Sequence, residues 1–216
     1  MGHNLDPIHY LSRSLELDPL HIDAATLRSK ILIDTGEAEL AIQFLKSFLN
    51  KSSEHSKLHS LLAQAYLNCG QLDKANTAIC EALAINPRSK DALYTASLIR
   101  KAKGDKFSAY HFLERIIRNG ESSSEILWEM SMLIDDRTEL EKKVNLLEIA
   151  LSLDCNDTKI FGELMITYCK LLDQNQSSNE VTNFHKTLIE HTNNLCFSNL
   201  SDDLKLKIHN LLKVTH

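Results

Sequence analysis

His55 and His59 stand one helical turn apart, a spacing at which two imidazoles can ligate one metal ion. The sequence places no third ligand beside them. No metal is therefore expected, and His59 is expected to pack against its own neighbours. The chain has 10 histidines, none in a spacing that pairs it with a Ser or Cys as a catalytic triad, and no Gly-rich phosphate loop. The 5 cysteines (Cys69, Cys80, Cys155, Cys169 and Cys196) are odd in number and form no CxxC pair, which suits a reducing compartment. No catalytic residue and no cofactor are expected: the chain offers no chemistry of its own.

Composition narrows the remaining classes. With 43% hydrophobic and 25% charged residues but only 6 Gly and 3 Pro in 216 residues, the chain reads as mostly helical with a sizeable core. A net charge of -5 and a pI near 6.0 argue against a phosphate-binding surface, which needs clustered Lys and Arg, so no nucleic-acid partner is expected. No secretory apolar segment opens the chain and no apolar run reaches membrane-spanning length. A cytoplasmic location and no membrane insertion are the expectations. Asn50, Asn156, Asn175 and Asn199 open glycosylation sequons, a pattern common by chance in an Asn- and Ser-rich chain.

The elements that must position any binding residue are set by a repeat. Stepping by 34 residues aligns Gly36, Gly70 and Gly104, then Ala41, Ala75 and Ala109, then Pro19, Ser53, Pro87, Glu121 and Cys155. Within residues 56–89, Leu62, Ala63 and Tyr66 share one side of a helix that Gly70 ends. Ala75, Ile79 and Ala82 line a second helix, stopped by Asn86 and Pro87. The unit is a helical hairpin, and a constant period of this size predicts a solenoid whose hairpins bury their apolar faces on one another.

Leu62, Ala63, Tyr66, Gly70, Ala75, Ala82 and Pro87 resemble the pattern of the tetratricopeptide repeat family, with His59 where that family usually has Trp. The resemblance covers roughly residues 7–192. It implies an all-α solenoid, a right-handed superhelix of about five antiparallel hairpins with an extra helix at each end, forming one domain over residues 1–216.

Along the chain, Asp6 is expected to cap a half-repeat helix over 7–18, begun by Pro7. Together with Met1-Gly2-His3, which reads as an expression scar, the half-repeat suggests a piece of a longer protein. Hairpins follow at 22–55, 56–89, 90–123 and 124–157. The fourth lacks the Gly and puts Lys143 where the others have Ala. Its stem is expected to run along the surface to keep the ammonium in water, with looser packing or a shifted second helix. A divergent fifth hairpin spans 158–192, stretched by a polar loop over 173–179, and a capping helix spans 201–214.

What the resemblance implies about function is a concave groove lined by first helices and used to bind a peptide segment of a partner protein. Carried over by register, the groove holds Lys30, Lys57, Gln64, Asn68, Tyr94, Leu98, Lys101, Trp128, Met132 and Asp135. Tyr94 and Trp128 could anchor an apolar side chain, since desolvated aromatics dominate many interfaces, although core packing would equally account for Trp128. Lys30, Lys57 and Lys101 could face an acidic segment. Residues 124–157 carry nine acids against three bases, so the groove is expected to run from basic to acidic and to steer a partner of opposite polarity. Relatives that clamp the terminal carboxylate of chaperone tails have Lys and Asn where Thr26 and Leu61 stand here, so that ligand is not assigned. Two other readings stand beside the interaction module: the substrate-recruiting or regulatory part of a larger enzyme such as a transferase, and a self-assembling scaffold or homo-oligomer.

Overall fold

A computed structural model describes residues 7–136 and 139–174, and these are helical with turns between. The chain divides into two compact units at Glu121 and Ser122. The first contains α1 (Pro7–Leu17), α2 (Ile22–Asp34), α3 (Ala38–Leu49), α4 (Ser56–Asn68), α5 (Leu72–Ile85), α6 (Lys90–Ala102) and α7 (Lys106–Arg118). The second contains α8 (Ser124–Leu133), α9 (Leu140–Leu153) and α10 (Thr158–Gln174). The architecture is an α-solenoid of helical hairpins, and both helix types start in strict step: the first helices at 22, 56, 90, 124 and 158, the second at 38, 72, 106 and 140.

Local chemistry explains the boundaries. Gly36, Gly70 and Gly104 take φ of 84°, 70° and 79°, a region that a side chain disfavours. At Gly70 the chain closes a Schellman turn, with Gln71 N donating to Tyr66 O at 2.9 Å and Gly70 N to Leu67 O at 2.9 Å. Ser89, Asp105 and Ser123 open α6, α7 and α8 by accepting hydrogen bonds from the amides of Ala92, Ser108 and Ile126.

In the first unit α2, α4 and α6 lie side by side, with α3, α5 and α7 packed behind them. Their core runs from Ala25 and Leu45 through Leu58, Ala63 and Tyr66 to Ala96 and Ile99. Ala41, Ala75 and Ala109 are 0% exposed, so the close approach of the helices there has no room for a larger side chain. α1 packs on α2 with no fully buried residue of its own.

The fourth hairpin corrects the sequence reading. α9 is not shifted, since Leu140 keeps the period. Instead α8 stops at Leu133, earlier in its repeat than α2, α4 and α6, and Ile134 turns extended at φ -74° and ψ 141°. Lys143 does not reach water: it is 3% exposed. Its ammonium lies 2.9 Å from Asp136 Oδ1 and 2.7 Å from Glu163 Oε1. Asp136 Oδ2 also accepts from Lys170 Nζ at 2.5 Å. Packing at this position is tight and ionic rather than loose. Expected features at Asp6, in most of the loop over 173–179, and in the helices over 180–192 and 201–214 lie outside the described residues; α10 itself continues through Asp173 and Gln174.

Candidate functional site

The exposed faces of α2, α4 and α6 enclose a hollow of about 570 Å³ in the first unit. Repetition builds it, because each position contributes a layer at the helical period. Asp23, Lys57 and Asp91 form one layer at the helix starts, and Thr26, Ser60 and Tyr94 the next. Leu27, Leu61 and Thr95 follow, then Lys30, Gln64 and Leu98, with Asp34 at the end of α2. On its floor Ser60 Oγ donates to the buried Thr95 Oγ1 at 3.4 Å, bridging α4 and α6. The hollow therefore has a polar and charged wall with apolar ground at Leu27, Leu61 and Leu98, and can offer backbone-directed hydrogen bonds as well as charge to an extended chain.

Five expected groove residues, Lys30, Lys57, Gln64, Tyr94 and Leu98, meet in this hollow. Asn68 does not: it lines a separate depression at the hairpin ends with Gly36, Glu37 and Gln71. Lys101 is exposed in the last turn of α6, beyond the hollow's lining. Trp128, Met132 and Asp135 belong to the second unit. There Trp128 is half-buried, with Lys159 Nζ 3.5 Å from its ring centroid and its indole N–H enclosed without a hydrogen-bond acceptor. Met132 is 37% exposed and Asp135 is exposed.

The expected basic start of the groove is also corrected. Asp23, Asp34 and Asp91 set three carboxylates against the ammonium groups of Lys30 and Lys57, giving a mixed rather than basic surface. The period already carried the missed signal, because Asp23 and Asp91 are the residues one repeat before and after Lys57.

The histidines have structural surroundings. His59 is buried, and its Nε2 donates to Ser53 O at 2.8 Å. Its Nδ1 lies 2.9 Å from Glu81 Oε2 without the geometry of a hydrogen bond. His55 Nε2 meets Ser52 Oγ at 2.8 Å. Among the described residues no three His, Cys, Asp or Glu side chains cluster as metal ligands, and no helix is long and apolar enough to cross a membrane. Cys69, Cys80 and Cys155 are free thiols.

In the second unit, ionisation follows the contacts. Burial alone would lower the pKa of Lys143, but its hydrogen bonds to Glu163 and Asp136 outweigh that and hold it above the usual lysine value. Burial would raise Asp136, but Lys170 and Lys143 hold its carboxyl below the usual range. Burial first, and then the Glu148 carboxylate to which its hydroxyl donates, push the Tyr168 phenol well up.

Residues 32–93 match the family model described as tetratricopeptide repeat. No curated protein matches the sequence. Among solved structures, the chain is similar to TTC0263, a thermophilic TPR protein of Thermus thermophilus, at 17% identity and a TM-score of 0.64 over 75% of this chain and 89% of that one. It is similar to YrrB, described as a TPR protein with an unusual peptide-binding site, at 14% identity and a TM-score of 0.60 over 80% and 89% of the two chains. A MamA fragment from Desulfovibrio magneticus RS-1 aligns at 19% identity and a TM-score of 0.60 over 79% and 90%. Repeat signature, helical period and fold agree: residues 32–93 carry the tetratricopeptide repeat, and the chain has the fold of tetratricopeptide repeat proteins.

Proposed function

We propose that the protein is an interaction module that holds an extended peptide segment of a partner protein in the hollow between α2, α4 and α6, acting as a scaffold rather than a catalyst. The observation that carries this reading is the layered lining itself: Lys57 between Asp23 and Asp91, then Tyr94, then Gln64 and Leu98, all on first helices. Alternating charge suits a segment that carries both signs, and Tyr94 and Leu98 supply the apolar contact that most often dominates binding. The peptide-binding site named for the similar YrrB supports the same use of the fold. Asn68 in the first unit and Trp128, Met132 and Asp135 in the second are each proposed as further partner contacts, and the chain as one functional domain.

The test is a phage-displayed peptide library selected against the whole chain, with selected peptides then titrated against Tyr94→Ala and Lys57→Glu. Loss of about tenfold or more in affinity with each variant is expected, the usual effect of removing an interface anchor. Selected peptides that bind both variants as tightly as the unaltered protein would place recognition elsewhere.

A further inference from the structure

The tip of the third hairpin departs from the others in ways its own folding does not require. α3, α5 and α9 each carry an acid in the first turn, Glu39, Asp73 and Glu141, where the helix macrodipole favours negative charge. α7 has none. The period puts Phe107 in that place, and it is 75% exposed. Lys106 likewise takes a position that the other second helices fill with Ala38, Leu72 and Leu140. A cation at the first residue of a helix works against α7's own stability, and the Phe107 ring, although it meets the His111 ring edge-on at 4.5 Å, leaves most of its surface in water.

The turn before it is just as unusual. α6 ends with Arg100 and Lys101 in its last turn, where α2, α4 and α8 have no basic residue. Lys103 follows, and its ammonium lies 2.8 Å from Asp73 Oδ1, tying this tip to the preceding hairpin, where Lys74 adds a further exposed cation. Arg100, Lys101, Lys103 and Lys106 thus gather with one exposed ring around a single turn fixed by Gly104.

We propose that this tip is a docking surface for an acidic segment of a partner protein, one that also presents an apolar side chain to Phe107. Charge complementarity selects the acid, and the exposed ring selects a contact that charge alone does not explain. Asp73 and Asp105 lie among the cations, so the pattern suits carboxylates spaced along a peptide better than an unbroken line of phosphates. The surface goes beyond the hollow, since Arg100, Lys101, Lys103, Lys106 and Phe107 are all outside its lining.

Fluorescence anisotropy with the whole chain and a labelled peptide alternating glutamate and leucine tests this. A glutamine–leucine peptide, single-stranded DNA and phosphatidylserine vesicles run beside it. The acidic peptide should bind more tightly than all three. The pair Lys106→Glu and Phe107→Ser should weaken it about tenfold or more, while Lys57→Glu in the hollow should change it less than about twofold. Lys106→Glu places an acid at a helix start and should not weaken the fold, so lost binding with an unchanged thermal melt reports the surface itself. Binding untouched by the tip variants, binding lost instead with Lys57→Glu, or tighter binding of DNA or vesicles would each overturn the proposal. If the tip fails in this way while Lys57→Glu still weakens the library-selected peptides, the reading of the hollow stands.

Discussion

The α4–α5 and α8–α9 hairpins answer the same geometric demand with different chemistry. In α4–α5 a positive-φ Gly70 makes the turn and Ala75, with no exposed surface, lets the helices close. In α8–α9 the sequence offers neither. Lys143 occupies the alanine's place, and the shortened α8 leads into a turn that brings Asp136 to its ammonium while α10 brings Glu163. Lys170 of α10 then completes the charge on Asp136. A repeat position thus constrains volume and satisfaction, not residue type: a long cation is accepted wherever neighbouring elements supply its counter-charges. The dependence differs, since alanine packing is local to its hairpin and the ionic solution needs three elements at once.

That contrast can be broken from the side of charge first. Lys143→Ala should leave Glu163 without its cation and Asp136 with Lys170 alone beside a cavity, destabilising the second unit by about 2–4 kcal/mol in a denaturant titration. Replacing Lys143 by Met while converting Asp136 to Asn and Glu163 to Gln should recover much of this, because a buried ion pair is worth little against well-packed apolar contact. Failure of that recovery would mean the charges position α10 rather than merely neutralise one another.

From the side of packing, Ala75→Leu should cost about 1–3 kcal/mol by overpacking a site without free space, read as a lower thermal midpoint of the first unit. Gly70→Ala should cost less, about 1–2 kcal/mol. An added Cβ would meet nothing within 4 Å, so only the left-handed backbone is penalised.

The smallest effect is the pH response. The folded Asp136 titrates below its ordinary 3.8, so its contribution is present above that value and is lost as pH falls through the folded pKa. Lys143 is held above 10.5, so its contribution is full below that value and fades as pH rises through the folded pKa. Melts near both extremes should therefore show the second unit losing stability at each end, and Asp136→Asn should flatten the acid limb. An unchanged acid limb in Asp136→Asn would assign it to other carboxylates.

Much of the fold was legible because its causes are local. Gly36, Gly70 and Gly104 mark turns by backbone freedom alone, Pro87 stops a helix by geometry, and the same spacing sets every described helix start after α1. Five residues carried by register line one hollow for the same reason. Asp23 and Asp91 lay in that register too, but single residues taken one at a time do not show a layer. The charge pattern of the hollow needed all three helices in view.

By itself, then, the sequence determined an all-helical array of hairpins, its period and the faces turned inward, since helix formation, capping and alanine packing act within one repeat. Only the tertiary structure decided that Lys143 is buried and that Asn68 leaves the hollow its neighbours share. Asp136 and Lys170 lie one 34-residue repeat apart, so the period relates them, but that Asp136 also reaches the Lys143 ammonium was decided only by the early end of α8. The burial of Lys143 is fixed by how α8, α9 and α10 stack, because a desolvated ammonium persists only where that stacking delivers its carboxylates.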